Sequence, residues 1–540
     1  MKALKQWTCC VVLCLAARQG LAQVNAELRD PGQKTVHVVR TATPPVIDGD
    51  LSDAVWSNAA VVDDLHQVSP TEYAEPYERT EVLILYDDDA LYIAARLYDT
   101  EPELITAKTL RQNGSIGDDD RFFVTIDPFN DRRSGYYFGV NPNGVRSDGL
   151  YRNVTEFYGD WDTIYHAAAG RFEGGWTAEI EIPFKSISFD PSTDTWGLNF
   201  SRTVVRKNEV MAWVSRNRAY NPSVSGLAVG FEGLKQGIGL ELVPSLAASS
   251  SKNYLAGTSS SDVKPSLDLA YRLTPQLNAS ITINTDFSAT EVDDRQVNLT
   301  RFGLFFPEKR DFFLREADIF EFGGIGGARQ SVVPGLNALA QNGRPFFSRR
   351  IGLSNAGAIV DLDYGGKISG RVGEWELGAL SIRQDGYEIR VRQGQQPANS
   401  VCVDVPSADP TQPSAFADCE INPDTLSVVR VKASVLDESS VGVVTTQGNP
   451  TGNVDNSLAG VDFQYRNTRF AGGRSLESDV WYQQSDTEGI AGDDAAYGMS
   501  LRFPTSQGFR GTLQYRAYEQ NFNPALGYVN RLGISDSYLN

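Results

Sequence analysis

Glu179 and Glu181 lie two residues apart in Gly175 to Ile182, a run that reads as a β-strand. On a strand they share one face, about 6.5 to 7 Å apart by the backbone rise, which reaches the carboxylate spacing of inverting glycosidases. If the chain is an enzyme, a glycoside hydrolase is the class these residues point to. Ala178, Ile180 and Ile182 fill the opposite face, so both glutamates are expected to point to solvent, with nothing marking either for a raised pKa. No Gly-x-Ser-x-Gly elbow, His-Glu-x-x-His or Cys–His pairing accompanies them in the chain beyond its N-terminal signal, and the reading is non-catalytic. Two acidic turns, Asp87-Asp88-Asp89 and Asp118-Asp119-Asp120, supply the hard oxygens that calcium prefers. Neither has the spacing of an EF-hand loop, and a solvated turn is the alternative. A third constellation runs from Asp286, Glu291 and Asp293 to Arg301, Glu308, Lys309 and Arg310, and then Arg349 and Arg350. Facing one another inside a barrel, these charges would form ion pairs that fix a plug, line a selective constriction, or simply stabilise the wall.

The elements that must position these residues are strands. Before about residue 235 the strand patterns are Thr80 to Leu85, Ala90 to Tyr98, Arg121 to Asp127, Tyr136 to Val140, Gly175 to Ile182 and Trp196 to Val205, separated by turn clusters. Strands and turns with almost no helical period predict one antiparallel β-sandwich. Beyond it, apolar and polar residues alternate. Leu267, Leu269, Tyr271 and Leu273 oppose Asp268, Ala270 and Arg272; Leu277, Ala279, Ile281 and Ile283 oppose Asn278, Ser280 and Thr282; Val461, Phe463 and Tyr465 oppose Asp462, Gln464 and Arg466. About a dozen such segments predict a transmembrane antiparallel barrel, apolar outside and polar inside. Two interruptions stand out. Residues 289–347 are too rich in Phe for a loose loop and are expected to fold into the lumen or against the sandwich, whereas 393–425 are Pro-rich and hold Cys402 and Cys419.

Residues 1–22 have the three parts of a secretory signal: Lys2 and Lys5, an apolar run from Trp7 to Ala17, and small residues at Gly20 and Ala22. The run is too short to span a bilayer as a helix, which takes about 20 apolar residues. Export puts Cys402 and Cys419 in an oxidising compartment, and a disulfide between them is expected. Nucleic acid is excluded as a partner: 68 Asp and Glu outnumber 49 Lys and Arg, for a formal charge of −19. The expected domains are the signal 1–22, a sandwich 23–235 and a barrel 236–540.

Several motifs carry a resemblance. Val46-Ile47-Asp48-Gly49 through Trp56, Tyr86-Asp87-Asp88 with Leu91-Tyr92-Ile93, Trp161-Asp162 and Trp176 through Phe184 resemble the carbohydrate-binding module family 9-like sandwich. Asn298-Leu299-Thr300-Arg301-Phe302, Phe306-Pro307-Glu308-Lys309-Arg310 and Phe346 through Gly352 resemble an uncharacterised bacterial outer-membrane family that joins such a sandwich to a barrel. Relatives in that family continue beyond the Asn523 to Tyr528 motif, so the resemblance implies a barrel left incomplete at the C-terminus here.

The resemblance implies sugar recognition, whose physics is an aromatic face stacked on a pyranose with carboxylates gripping hydroxyls. Trp161 is the first candidate, in a turn-like segment that sets an indole beside Asp160 and Asp162; capping of the sandwich core is the alternative. Trp56, Trp176 and Trp196 read as core. Family 9 modules carry calcium near such acidic loops. A haem-binding variant of the sandwich also exists, but Met211 alternates with Trp213 as in ordinary packing, leaving His166 without an evident partner ligand, and haem is not expected. The resulting expectation is an exported outer-membrane protein, with a periplasmic or lumenal sandwich, that binds oligo- or polysaccharide and contacts lipid. An envelope assembly protein plugged by its sandwich is the alternative, and a hydrolase the third. Protein partners are not legible.

Overall fold

The computed structural model describes residues 34–111, 115–152, 154, 156–159, 161–235, 239–253, 258–285, 305–306, 308–326, 339–354, 357–405, 414–470, 474–504 and 509–540. The signal segment, Asp160, Asp286, Glu291, Asp293 and Arg301 lie outside them. The described chain is all-β apart from single helical turns such as Asp311–Leu314.

Residues up to about 235 form two facing sheets. One centres on Thr195–Val204, Arg121–Asp127 and Gly135–Val140, the other on Gly175–Pro183, Ala90–Tyr98 and Thr80–Tyr86. Alternate residues of each strand point inward, and Val82, Ile84, Ile93, Phe122, Val124, Ile180, Trp176 and Trp196 fill the gap between the sheets as one core. The sandwich is not wholly antiparallel. Thr35–His37 runs parallel to Gly226–Val229, and Val39–Arg40 runs parallel to Thr80–Tyr86, because one short N-terminal segment crosses from one sheet edge to the other. Met211 lies in this core, its sulfur accepting a hydrogen bond from Thr80 Oγ1 (3.4 Å), while His166 is exposed on another strand.

Beyond residue 239, twelve described strands join edge to edge from Leu240–Asn253 to Ile534–Leu539 in one antiparallel sheet, in chain order apart from a small side sheet. Its two faces are inverted relative to a water-soluble protein. Val461, Phe463, Val443, Val480, Tyr482, Ile281 and Ile283 are exposed on the outer face. Asp462, Gln464, Arg466, Asp479, Gln483 and Thr282 are buried on the inner face. The described parts of the 289–347 insertion lie against that inner face. Phe312, Phe313, Phe320, Phe322, Ile325 and Phe346 pack with Leu362, Leu380, Leu426, Val444, Leu458, Trp481 and Tyr518, one from each of seven wall strands, so the sheet wraps around the insertion.

The two ends of the sheet differ. Short turns at 275–276, 373–374 and 436–438 lie at one end, and the long connections, including the cysteine segment, at the other. The sandwich docks on the short-turn end. Arg133 donates to Asp437 O (3.0 Å) and Ser439 O (2.9 Å), and Asp131 pairs with Arg371, which also holds Glu376 (2.7 Å). At the other end, 393–425 is not an open loop. Tyr387–Arg392, Phe416–Ile421 and Cys402–Asp404 form a three-stranded sheet in which Cys402 stands directly opposite Cys419, to which it is bonded. The segment also runs into the wall strand Asp424–Val435.

Candidate functional site

The site begins on two paired strands, Gly135–Val140 and Arg146–Arg152, where Tyr136 and Phe138 alternate onto one face and Phe138 stands opposite Asp148. Trp161, in the segment that follows, lies across both rings, its centroid 5.1 Å from Tyr136 at 41° and 6.2 Å from Phe138 at 69°. Such tilted and edge contacts are the favoured aromatic geometry and hold the indole in one orientation. Three further ties fix the segment. Thr163 N donates to Asp148 Oδ2 (2.8 Å), Thr163 Oγ1 to Ser186 O (3.1 Å), and Tyr165 Oη to Gly139 O (3.0 Å). Trp161 is half-buried: it packs against the sandwich core and also lines a cavity.

That cavity, of about 1650 Å³, lies between the sandwich, the wall strands and the insertion. Trp161, Tyr136, Phe157, Asp162, Thr163 and Lys185 line it from the sandwich side, and Arg272, Gln276, Asn278 and Ser280 from the wall. An aromatic face beside a carboxylate and hydroxyls suits a pyranose, whose C–H face is apolar and whose rim is all hydroxyl. Asp148, beneath Trp161, is the perturbed group. Burial first, then the neighbouring Asp162 carboxylate, push its pKa up to about 7 against the pull of Thr163 N–H.

Glu179 does not point to solvent. Its Oε2 accepts from Asp48 N (3.0 Å) and Gly49 N (2.7 Å) and its Oε1 from Trp56 Nε1 (3.0 Å), and the side chain is fully buried. The strand lies between two others, Ala90–Tyr98 and His166–Phe172, and the segment 46–56 covers the sheet face that carries Glu179. Gly49 makes the cover fit: its φ is +90°, and a Cβ there would meet Ala169 carbonyl carbon at 2.6 Å. Burial raises the Glu179 pKa against the three hydrogen bonds. Glu181 is partly exposed, opposite His166. The two glutamates therefore do not face each other across an open cleft.

The acidic turns are also engaged in their own structure. Asp87 Oδ1 accepts from Asp89 N (2.8 Å) and Ala90 N (2.9 Å), Asp87 Oδ2 from Tyr92 Oη (2.9 Å), and Asp88 pairs with Arg40. Asp118 is exposed, whereas Asp119 is buried and accepts from Lys108 N (2.8 Å), Thr109 N (3.0 Å) and Asn141 Nδ2 (2.9 Å), and Asp120 accepts from Val205 N (2.7 Å). Donors thus engage both oxygens of Asp87 and Asp119 and one of Asp120; among the described residues the other, Asp120 Oδ2, has no hydrogen-bond partner, and no three His, Cys, Asp or Glu side chains converge as a metal site.

Of the expected lumen charges, Glu308 and Arg310 pair with each other (2.6 Å). Arg310 also donates to Ile351 O (2.8 Å) and Ser348 O (2.7 Å), and Lys309 N donates to Glu308 Oε1 (3.0 Å), so the motif ties itself to the 348–351 turn. The ladder that does cross the wall is Arg430 with Asp462 (2.6 Å), Lys432 with Glu376 (2.5 Å) and Arg466 with Asp479 (2.8 Å). Its sequence signal was present: Arg430 and Lys432, and Asp462 and Arg466, fall on the polar beat of alternating segments.

Residues 47–226 match the carbohydrate family 9 binding domain-like family. Residues 237–369 match a domain of unknown function (DUF5916). The chain thus carries a family 9-like domain followed by that second domain. Among solved structures, a carbohydrate binding module family 9 from Caldicellulosiruptor kristjanssonii in complex with cellotriose is similar at 19% identity, covering 38% of this chain and 97% of that one, with a TM-score of 0.28. The same module in complex with glucose gives 20% identity over 37% and 97% of the two chains, with a TM-score of 0.28. A putative carbohydrate-binding protein from Bacteroides uniformis ATCC 8492 gives 12% identity over 37% and 99%, with a TM-score of 0.29. No curated protein matches the chain.

Proposed function

We propose that the protein binds saccharides on the Trp161 face of its N-terminal sandwich and displays or admits them at a bacterial outer membrane. The carrying observation is the half-buried indole of Trp161, held over Tyr136 and Phe138 and opening on a cavity, inside the stretch that matches the family 9-like domain. The membrane setting is supported by the inverted sheet, with exposed Val461, Phe463 and Val480 outside and buried Asp462, Arg466 and Asp479 inside. Lipid is the partner that such an outer face fits. The sandwich sits at the short-turn end, which is conventionally periplasmic. The test is a glycan screen of the full chain and its Trp161→Ala variant, together with detergent-free ultracentrifugation of envelopes. Binding lost in the variant and protein retained in the pellet are expected; unaltered binding, or protein left in the supernatant, overturns the corresponding half.

The assembly alternative, a sandwich that plugs or docks the barrel, draws on one observation, the contacts of Arg133 and Asp131 with the short turns. It predicts impaired envelope integrity with no glycan bound. The hydrolase reading is weakest, because Glu179 is held as an acceptor by three donors.

A further inference from the structure

The cavity at Trp161 is larger than a site for one sugar. Its volume of about 1650 Å³ exceeds the roughly 300–1,000 Å³ of a small-molecule pocket. It does not stop at the sandwich, since Ser280, Leu380, Phe313 and Gln341 line it from the wall and the insertion. The charges lining it nearly balance, seven Lys and Arg against six Asp and Glu, and several are already engaged: Arg315 with Glu241 (2.6 Å), Arg344 with Glu321 (3.2 Å), and Arg371 with Glu376 just outside the lining (2.7 Å). Lys367 donates to Phe312 O (2.7 Å). A phosphorylated or uronic ligand would meet nearly as many carboxylates as cations there, whereas an uncharged one needs no counter-charge.

Gln341 is the second observation. It is 8% exposed, its Nε2 donates to Gly326 O (3.2 Å), and its Oε1 has no hydrogen-bond partner. A buried acceptor without a partner is costly, and a ligand hydroxyl would relieve it. Its position is rigid, because Tyr518 Oη donates to Asn342 O (2.8 Å) and Gln483 Nε2 donates to Gly343 O (2.7 Å) in the next two residues.

We propose that this cavity is one extended site for an uncharged oligosaccharide of several units, with Trp161 as the platform at the sandwich and Gln341 as the hydroxyl acceptor at its inner end. The proposal rests on the saccharide reading above and adds the ligand's length and charge. A chain of sugars would stack its first ring on the indole and run past Asn278 and Ser280 into the space enclosed by the wall, so one ligand would touch both domains.

The experiment is a binding series on the full chain with neutral gluco-oligosaccharides from disaccharide to octasaccharide, beside oligogalacturonates of matched length. Affinity is expected to rise with length, and the neutral series to bind better than the acidic one. Trp161→Ala is expected to weaken every length by at least about tenfold. Gln341→Leu, which keeps the side-chain volume, is expected to cost about fivefold for the longest chains, a loss that grows with length. Ser280→Trp, which narrows the cavity from the wall, is expected to abolish the gain with length by a route that leaves Gln341 intact. Binding that Trp161→Ala weakens but that has no length dependence, or a length dependence that survives both Gln341→Leu and Ser280→Trp, overturns the extended site and leaves the saccharide reading standing. Preference for oligogalacturonates overturns the uncharged class. No binding of any member overturns the saccharide reading itself.

Discussion

Replacing Glu179 tests whether this residue is a structural acceptor or a reactive acid. In Glu179→Ala, the N–H groups of Asp48, Gly49 and Trp56 lose their acceptor together. An orphaned buried donor costs about 1–3 kcal/mol, and since Asp48 lies nearer the surface than Trp56, the total is expected at about 3–5 kcal/mol. Glu179→Gln keeps one acceptor oxygen but turns an amide N–H₂ toward donors on its other side, so its loss is expected to be smaller, about 1–2 kcal/mol. For a domain of this size each kcal/mol lowers the melting temperature by about 2–4 °C, so Ala is expected to melt roughly 10 °C lower and Gln to fall between. Trp56 supplies the assay, because its indole donates to the carboxylate and its fluorescence reports the loss of the 46–56 cover. An Ala variant as stable as the parent, or Ala and Gln variants of equal stability, refutes the reasoning. A Gln variant with full stability but lost reducing-sugar release would revive the catalytic role.

Three other outcomes follow from the structure. Asp148 has a pKa pushed up to about 7, above the ordinary carboxylate value of about 4, so the stability it contributes is complete below about pH 4 and is lost as pH rises from there through about 7. Because ionised Asp148 repels the Asp162 carboxylate beside Trp161, glycan affinity is expected to fall over about pH 6 to 8, and Asp148→Asn to flatten that profile; an unchanged profile in the variant refutes it. Val443→Arg puts a charge on the outward face and is expected to cost about 2–4 kcal/mol in a bilayer urea titration, against much less for Gln447→Arg at the strand end; equal costs refute a lipid-facing row. Arg430→Met or Asp462→Leu alone is expected to cost about 3–5 kcal/mol, and the double variant less than the sum, in thermal unfolding from detergent; strict additivity refutes the pairing.

Local pattern made much of the fold legible. The expected strands Ala90 to Tyr98 and Arg121 to Asp127 match the observed bounds, and the alternation of Val461, Phe463 and Tyr465 with Asp462, Gln464 and Arg466 separates into exposed and buried rows. Period two is enough for that, since it fixes which side chains share a face. It cannot say what covers the face. Glu179 alternates correctly with Ala178 and Ile180, yet is buried because a segment about 130 residues earlier folds over it. The small sheet around Cys402 was missed for a related reason: its strands are short, and Pro-rich flanks read as loop. At the candidate site Trp161 was visible as an aromatic among acids, but Asp148 and Tyr136, which hold it, are ordinary residues of a strand pair and become notable only through register.

The outward rows of the twelve described strands bear on how the sheet assembles. Their side chains repel water, while the charges between them gain partners such as Arg430 and Asp462 only after neighbouring strands have zipped together. A half-assembled sheet therefore satisfies neither environment and presents a sticky edge to copies of itself. Under the proposed membrane setting such a polypeptide would need an escort that masks both features before it assembles, and overproduction outpacing that escort is expected to yield inclusion bodies.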